Sequence, residues 1–492
     1  MLEQLQRYSR PVPRYTSYPT APVFREDFAA EDYASLLGRP DRGRRPLSLY
    51  FHFPFCRNIC FFCACTVIYT ANKKRMAPYM RLLVREMDLV LEALAARGEG
   101  EARDDDGRLF QAVSQLHFGG GTPGFASPDE IRGFHREITK RFRFAPDAEL
   151  SVELDPRETT DEHIAAYAGC GFNRASLGVQ DLDPKVQRAV NRVQPFDELE
   201  ILLTKLREAG FRGINLDLIY GLPHQTPEGF AQTIDGVLSL QPDRLSLFQF
   251  AYLPQLKQHQ QRINAEALPE VRTRLEILSN SIEQLTRAGY VYIGMDHFAR
   301  PDDPMAIAAS RGELERNFQG YTVPPGMHSD ASDDAARERG SASAAYEQGS
   351  DLLAFGVSAI GDLGDAYVQN TRHLKTYESE VLAGRLPVDR GLVLNADDHE
   401  RRRIIMLLIC RFELEYDSGF RARYAPEFEV LAGFHAEGLV EIEEPSFSKT
   451  ANRPGRLRVT EAGKFVIRNI CQVFDAYTRE LAARGQQFSK SV

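Results

Sequence analysis

The sequence predicts an α/β protein: a partial β/α barrel of the (β/α)6 type followed by a mostly helical C-terminal domain. Short apolar runs alternate with helical patterns through the first 300 residues, and strands separated by helices of that length form right-handed βαβ units around a parallel sheet. Successive runs end in glycines or polar residues that core packing does not require. Beyond residue 391 the apolar spacing becomes mainly helical.

In chain order, LSLYFHF, VSQLHFGGG, AELSVELDP, FNRASLGVQD, GINLDLIYGLP, DRLSLFQFAYLP and YVYIGMDHF read as buried strands. Met80, Leu83, Met87, Val90 and Leu94 recur at spacings of three or four and share one helical face. Leu199, Leu202 and Leu206 repeat the pattern over 196–209, and Gly210 supplies a stop. A doubly wound open sheet is the alternative architecture. The strand ends favour the barrel, because Gly119–Gly121, Glu153 with Asp155, Gln180 with Asp181, and Asp217 end successive strands. In a barrel such ends meet at one mouth, where the chemistry sits.

The expected domains are an N-terminal extension (1–45), the barrel (46–300), a barrel extension (301–390) and the helical domain (391–492). Residues 323–349 are rich in Ala, Ser, Gly, Asp and Pro without apolar period, and read as a flexible insertion. Further on, RRRIIMLLICRFEL reads as a helix, and HAEGLVEIEEP with RLRVTEAGK as a hairpin.

Hydrophobic content of 43% and charged content of 26% are ordinary for a globular enzyme. A net charge of −9 argues against a nucleic-acid partner, which needs a basic face. No apolar run reaches the ~18 residues of a membrane-spanning helix, and the N-terminus has no signal-peptide core. The expectation is a cytoplasmic protein without membrane insertion, with thiols kept reduced. Nothing in the sequence asks for more than a monomer.

Four of the seven cysteines, Cys56, Cys60, Cys63 and Cys65, crowd into YFHFPFCRNICFFCAC. Disulfides are the weakest reading in a reducing compartment. Zinc usually takes a second ligand pair a dozen or more residues on; none follows, so zinc stands as the lesser alternative. A C-x3-C-x2-C loop suits a [4Fe–4S] cluster, holding three irons and leaving the fourth open. Phe53, Phe55, Phe61 and Phe62 would shelter it from water.

That loop after a first strand resembles the radical S-adenosylmethionine (SAM) enzymes. PRYTSYPT, YFHFPFC, Cys65, LHFGGGTP, VELDPRE, GFNRASLGVQD, NLDLIYGLP, GMDHFARPDD and VIRNIC narrow the resemblance to the oxygen-independent coproporphyrinogen III oxidases over almost the whole chain. The 323–349 insertion departs from that family, which generally has a short connection there. Haem chaperones of the same superfamily share the three cysteines and form the alternative. They tend to have Phe where Cys65 stands and lack PRYTSYP.

The resemblance implies a fold, cofactors and site residues. Cys56, Cys60 and Cys63 match the ligands of a [4Fe–4S] cluster, whose open iron holds one SAM. Tyr50, Gly120, Glu153 and Ile360 match positions around that SAM. Phe62, Gly121, Thr122, Gln180, Arg192, Asp217 and Ala251 match positions around a second, whether reactant or occupant of part of the substrate site. The implied reaction is removal of a propionate hydrogen by a 5′-deoxyadenosyl radical and loss of CO2, twice, turning coproporphyrinogen III into protoporphyrinogen IX. An electron donor and an acceptor, both unidentified, are implied partners, and residues 1–45 contribute to the substrate site. The substrate is a tetracarboxylate, so Arg14 and Arg300 are candidate partners, each equally readable as structural. His52 and His297 read as satisfied structural histidines. Cys65 lies outside the three-cysteine ligand set, either near the active site or structural, and Cys170, Cys410 and Cys471 read as core thiols.

Overall fold

The computed structural model describes residues 2–39, 45–96, 108–324, 349–447, 452–486 and 488. Most of the 323–349 insertion lies outside them. The chain divides into two compact units: Met1–Val23, Glu270–Pro324 and Leu394–Val492 form one, and Phe24–Pro269 with Pro325–Val393 form the other.

The second unit is the barrel. Its strands are β1 (Leu47–Phe53), β2 (Leu109–Gly120), β3 (Phe142–Leu154), β4 (Arg174–Gln180), β5 (Gly213–Tyr220) and β6 (Arg244–Gln249). They lie side by side in that order, each pair parallel. Helices Met76–Ala95, Pro128–Thr139, Asp161–Gly169, Phe196–Glu208 and Pro227–Ser239 fall between successive strands, as a right-handed βα winding requires. On the free side of β1 the sheet continues through β7 (Asp351–Phe355), β8 (Ile360–Asp362), β9 (Ala366–Asn370) and β10 (Val388–Val393). β7 pairs parallel to β1, and the rest follow antiparallel. The predicted helical faces form: Met80, Leu83, Met87, Val90 and Leu94 are all buried, and Gly210 ends Phe196–Glu208 with φ +94.

The apolar runs predict strands buried on both faces, whereas the barrel strands are fully buried on one face only. On β4, Ala175, Leu177 and Val179 are buried, while Arg174, Ser176, Gly178 and Gln180 are half-buried. The same alternation runs through Ser151 and Glu153 on β3 and Asn215, Asp217 and Ile219 on β5. Successive side chains point to opposite faces, so the apolar set packs under the helices and the polar set lines an accessible interior. Glu149 closes that interior lower on β3, pairing with Arg174 at 2.6 Å and Arg244 at 3.9 Å.

One buried carboxylate fixes the β1–β7 edge. Glu86, on Met76–Ala95 and 2% exposed, accepts from Gly356 N–H at 2.8 Å, Tyr377 OH at 2.6 Å and Asn370 Nδ2 at 2.6 Å. Burial raises its pKa from 4.5 to about 7, against the pull of those donors. The folded state therefore holds this proton more tightly than the unfolded chain does. Its stabilisation is complete below pH 4.5 and is lost as pH rises to about 7, a loss of about 3 kcal/mol. Glu86→Gln removes that loss, so the melting-temperature difference between variant and wild type grows in the variant's favour across this window. A pH-independent difference would show that Glu86 does not titrate there.

In the first unit, YVYIGMDHF is a hairpin rather than one strand. Val291–Gly294 pairs antiparallel with His297–Ala299 around Met295 and Asp296, both at positive φ. Helix Ala396–Arg411 stops earlier than expected, because Phe412 takes a left-handed cap conformation at φ +58. Glu413–Tyr416 then pairs with Gly455–Val459, which also pairs with Val440–Glu443 as predicted. Arg456 and Arg458 on this sheet face Glu413, Glu415 and Glu441 in ion pairs. Among the described residues, no helix is long and apolar enough to cross a membrane.

Candidate active site

The cysteine loop leaves β1 at the C-terminal end of the barrel. Phe55–Cys56 pairs parallel with Ile68–Tyr69, closing its base. Side chains from other strand ends then seize its backbone. Asn191 Nδ2 donates to Ile59 O at 2.7 Å, Gln260 Nε2 to Phe62 O at 3.1 Å, His259 Nε2 to Cys63 O at 2.6 Å, and Lys257 Nζ to Cys65 O at 3.2 Å. Gln260, fully buried, also donates to Ala251 O at 3.0 Å, tying Phe62 and Ala251 together. Phe61 and Phe62 pack on Val186, Val190, Leu222, Phe250 and Ile263.

The sulfurs have polar company. Thr122 Oγ1 lies 3.3 Å from Cys56 Sγ. Arg157 Nη2 and Arg192 Nη1 each donate to Cys60 Sγ at 3.4 Å. Both arginines also bind Asp155; burial raises that carboxyl, but Arg192 and Arg157 hold it down at about 2. Arg192 further donates to Gly178 O at 2.6 Å, so its guanidinium clamps the loop to the end of β4. Cys65 beside Cys63 draws the Cys63 thiol down, and Cys63 with burial pushes the Cys65 thiol up. Burial pushes Cys56 up to about 12.

The Gly119–Gly121 turn brings β2 against this loop. Gly120 has φ +109, and a Cβ there would stand 2.5 Å from the His52 ring. Gly121 donates to Phe53 O at 2.7 Å. Gly120 N–H donates to Glu153 Oε2 at 3.0 Å, and His117 Nε2 lies 3.3 Å from Glu153 Oε1. Burial raises the Glu153 carboxyl, but the bond and charge of His117 and the Gly120 N–H bring it below its usual value. The Glu153 side chain is nonetheless 43% accessible, so it faces the open interior. His117 stacks on Tyr50 at 5.8 Å and 12° and bonds Ser151 Oγ at 2.6 Å, following the register Tyr50–His117–Ser151.

Tyr50, Gly120, Gly121, Thr122 and Glu153 thus come together beside the cysteines. Ile360 lies on β8 at the β7 edge next to β1. Asp217 faces the same interior from β5, bonded to Ser176 Oγ at 2.9 Å and Asn215 Nδ2 at 2.8 Å. Burial raises its carboxyl, and the Glu153 charge adds to this. Gln180, at the end of β4, has φ +69 and a buried Oε1 without a hydrogen-bond partner. His52 is satisfied, between Tyr50 OH at 3.0 Å and Thr66 O at 2.9 Å.

These residues fit the implied cofactors. Among the described residues, no three His, Cys, Asp or Glu side chains converge on a single metal ion. A cluster asks for something else: thiols spread along one tight loop. Cys56, Cys60 and Cys63 lie on one such loop, and Arg157 and Arg192 donate to the Cys60 sulfur. Glu153 and Asp217, bonded to Gly120 N–H, His117, Ser176 and Asn215, suit the ammonium and sulfonium charges of SAM.

Sequence reasoning missed His117, Arg157, His259 and Gln260. His117 sat inside a strand pattern with a sign of its own, the alternation that aims it where Tyr50 and Glu153 point. Gln260 and His259 lie in the polar stretch QLKQHQQRIN, which carries no periodic signal.

Comparison with known proteins agrees with this site. The Radical SAM superfamily model matches residues 50–237. An oxygen-independent coproporphyrinogen III oxidase from Pseudomonas aeruginosa is 41% identical over 99% of this chain and 98% of its own. Its Escherichia coli counterpart is 40% identical over 100% and 98%. A solved structure of coproporphyrinogen III oxidase from Escherichia coli, described as a radical SAM enzyme, superposes with a TM-score of 0.82 over 96% of this chain and 98% of that one, at 40% identity. With its thiol loop at the mouth of a parallel barrel and its likeness running from end to end, the chain belongs to the oxygen-independent coproporphyrinogen III oxidase family of radical SAM enzymes.

Proposed function

We propose that the chain oxidatively decarboxylates two propionate side chains of coproporphyrinogen III to vinyl groups, giving protoporphyrinogen IX without oxygen. The observation that carries this is the clamped three-thiol loop opening onto an accessible interior lined by Tyr50, Glu153, Gln180 and Asp217. Cys56, Cys60 and Cys63 would hold the [4Fe–4S] cluster. Gly120 and Glu153, with Tyr50 and Ile360, would hold one SAM. Phe62, Gly121, Thr122, Gln180, Arg192, Asp217 and Ala251 would border the adjoining space for a second SAM or part of the substrate. When bound, the cluster and SAM supply the electron and the hydrogen-abstracting chemistry. The chain's own work is placement and exclusion. Arg157 and Arg192 keep positive charge at the Cys60 sulfur, Gly120 lets its backbone close on the cofactor, and the phenylalanines with their apolar neighbours keep water out. An electron donor and an acceptor are separate partners, and the working form is a cytoplasmic monomer.

Anaerobic protein with an assembled cluster, SAM, a reductant and coproporphyrinogen III should release protoporphyrinogen and CO2. Neither product from a protein with an intact cluster would overturn the reading. Stoichiometric haem binding in place of turnover would replace it with the chaperone role.

A further inference from the structure

One histidine beside the cofactor space has no task in the reading above. His117 stands on β2, between Tyr50 on β1 and Ser151 on β3, in one row across three parallel strands. Its ring stacks on Tyr50, its Nδ1 lies 2.6 Å from Ser151 Oγ, and its Nε2 lies 3.3 Å from Glu153 Oε1. The ring is therefore held on three sides.

The partners settle where its hydrogens go. An ionised carboxylate can only accept, so Nε2 carries the hydrogen that binds Glu153. In the neutral ring, Nδ1 then accepts from the Ser151 hydroxyl. In the charged ring, Nδ1 donates to Ser151 Oγ, which turns its own hydrogen to Leu116 O at 3.4 Å. In both states Nε2–H points at Glu153.

Gly119 makes this bond possible. It follows His117 by two positions on the strand and shares its face. A Cβ there would stand 2.8 Å from His117 Nε2 and 3.0 Å from Glu153 Oε1, at the bond itself. Glu153 thus has one oxygen fixed by His117 and the other by Gly120 N–H at 3.0 Å. Its side chain stays 43% accessible against 18% for His117, so the carboxylate, and not the ring, meets what enters the interior.

We propose that His117 is a positioning residue: with Gly119 giving it room, it fixes the rotamer of Glu153 so that the carboxylate's remaining lone pairs face the donor groups of SAM. This rests on the function proposed above, in which Glu153 holds that cofactor. A carboxylate already ordered before binding loses less freedom when the cofactor arrives, and a hydrogen bond to a charged acceptor is strong enough to order it.

Equilibrium dialysis of SAM against cluster-loaded protein, without porphyrinogen, reads this apart from turnover. H117F keeps a ring on Tyr50 but loses both ring nitrogens. It should raise Kd and KM for SAM by about 10-fold, with KM for coproporphyrinogen III unchanged. H117Q gives up the ring but keeps an N–H that can reach Glu153, and should recover most of the affinity. A ring that merely fills space predicts the reverse order. G119A keeps His117 and should lose SAM affinity as H117F does, because its Cβ displaces the bond; it also covers an unstable H117F. Wild-type SAM affinity in H117F and G119A would overturn the assignment, as would equal losses in H117F and H117Q. The expected order of affinities in a protein that makes no protoporphyrinogen would support the positioning role and count against the proposed function instead.

Discussion

Replacing Cys60 with serine abolishes the iron–sulfur cluster and all turnover while leaving the fold in place. Cys60 is buried, 7% exposed, and its sulfur accepts from both Arg157 and Arg192. Serine is a poor ligand for iron in a loop built for thiolates. The loop keeps its shape without the sulfur, because Asn191, Gln260, His259 and Lys257 grip its carbonyls. Iron and sulfide analysis with visible absorbance should show no assembled cluster, and the melting temperature of cluster-free protein should match that of cluster-free wild type. A normal cluster in the variant would refute the ligand assignment.

Gly120→Ala should cost turnover nearly as heavily by a different route. Its φ of +109 is one that L side chains rarely adopt, and the new Cβ would stand 2.5 Å from both Cε1 and Nδ1 of His52. His52 cannot yield freely, held between Tyr50 OH and Thr66 O. The backbone strain alone costs about 1–3 kcal/mol. Relief must move the Gly120 N–H away from Glu153, and misplacement on the scale of an ångström costs about 100-fold in rate. Gly124→Ala is the control, since its Cβ would meet nothing within 4 Å. Melting temperature and kcat/KM measured side by side should fall together in the first variant and change little in the second. Equal behaviour of the two would show that the turn does not set the site.

Much of this was legible in the sequence because it is local. The thiol spacing, the helical faces and the polar residues closing each strand are short-range patterns, and the fold keeps them. What stayed hidden depends on partners far apart in the chain. Gln260 becomes structural only when the fold brings Phe62 O to it, and Arg192 becomes a clamp only beside Cys60 and Asp155. The strands read as apolar runs because Leu and Val hid the polar residues between them, until the alternation on β4 and β5 turned Ser176, Gln180 and Asp217 inward. The stop at Phe412 and the turn at Met295–Asp296 rest on positive φ in residues that rarely adopt it. No composition announces that.

In the proposed reaction this interior presents a propionate of the porphyrinogen to the hydrogen-abstracting chemistry of SAM. Coproporphyrinogen III carrying deuterium at its propionate β-carbons, turned over without oxygen, tests it most directly. Mass spectrometry of the 5′-deoxyadenosine released should find that deuterium, in step with protoporphyrinogen formed. Protoporphyrinogen accompanied by unlabelled 5′-deoxyadenosine would contradict the account.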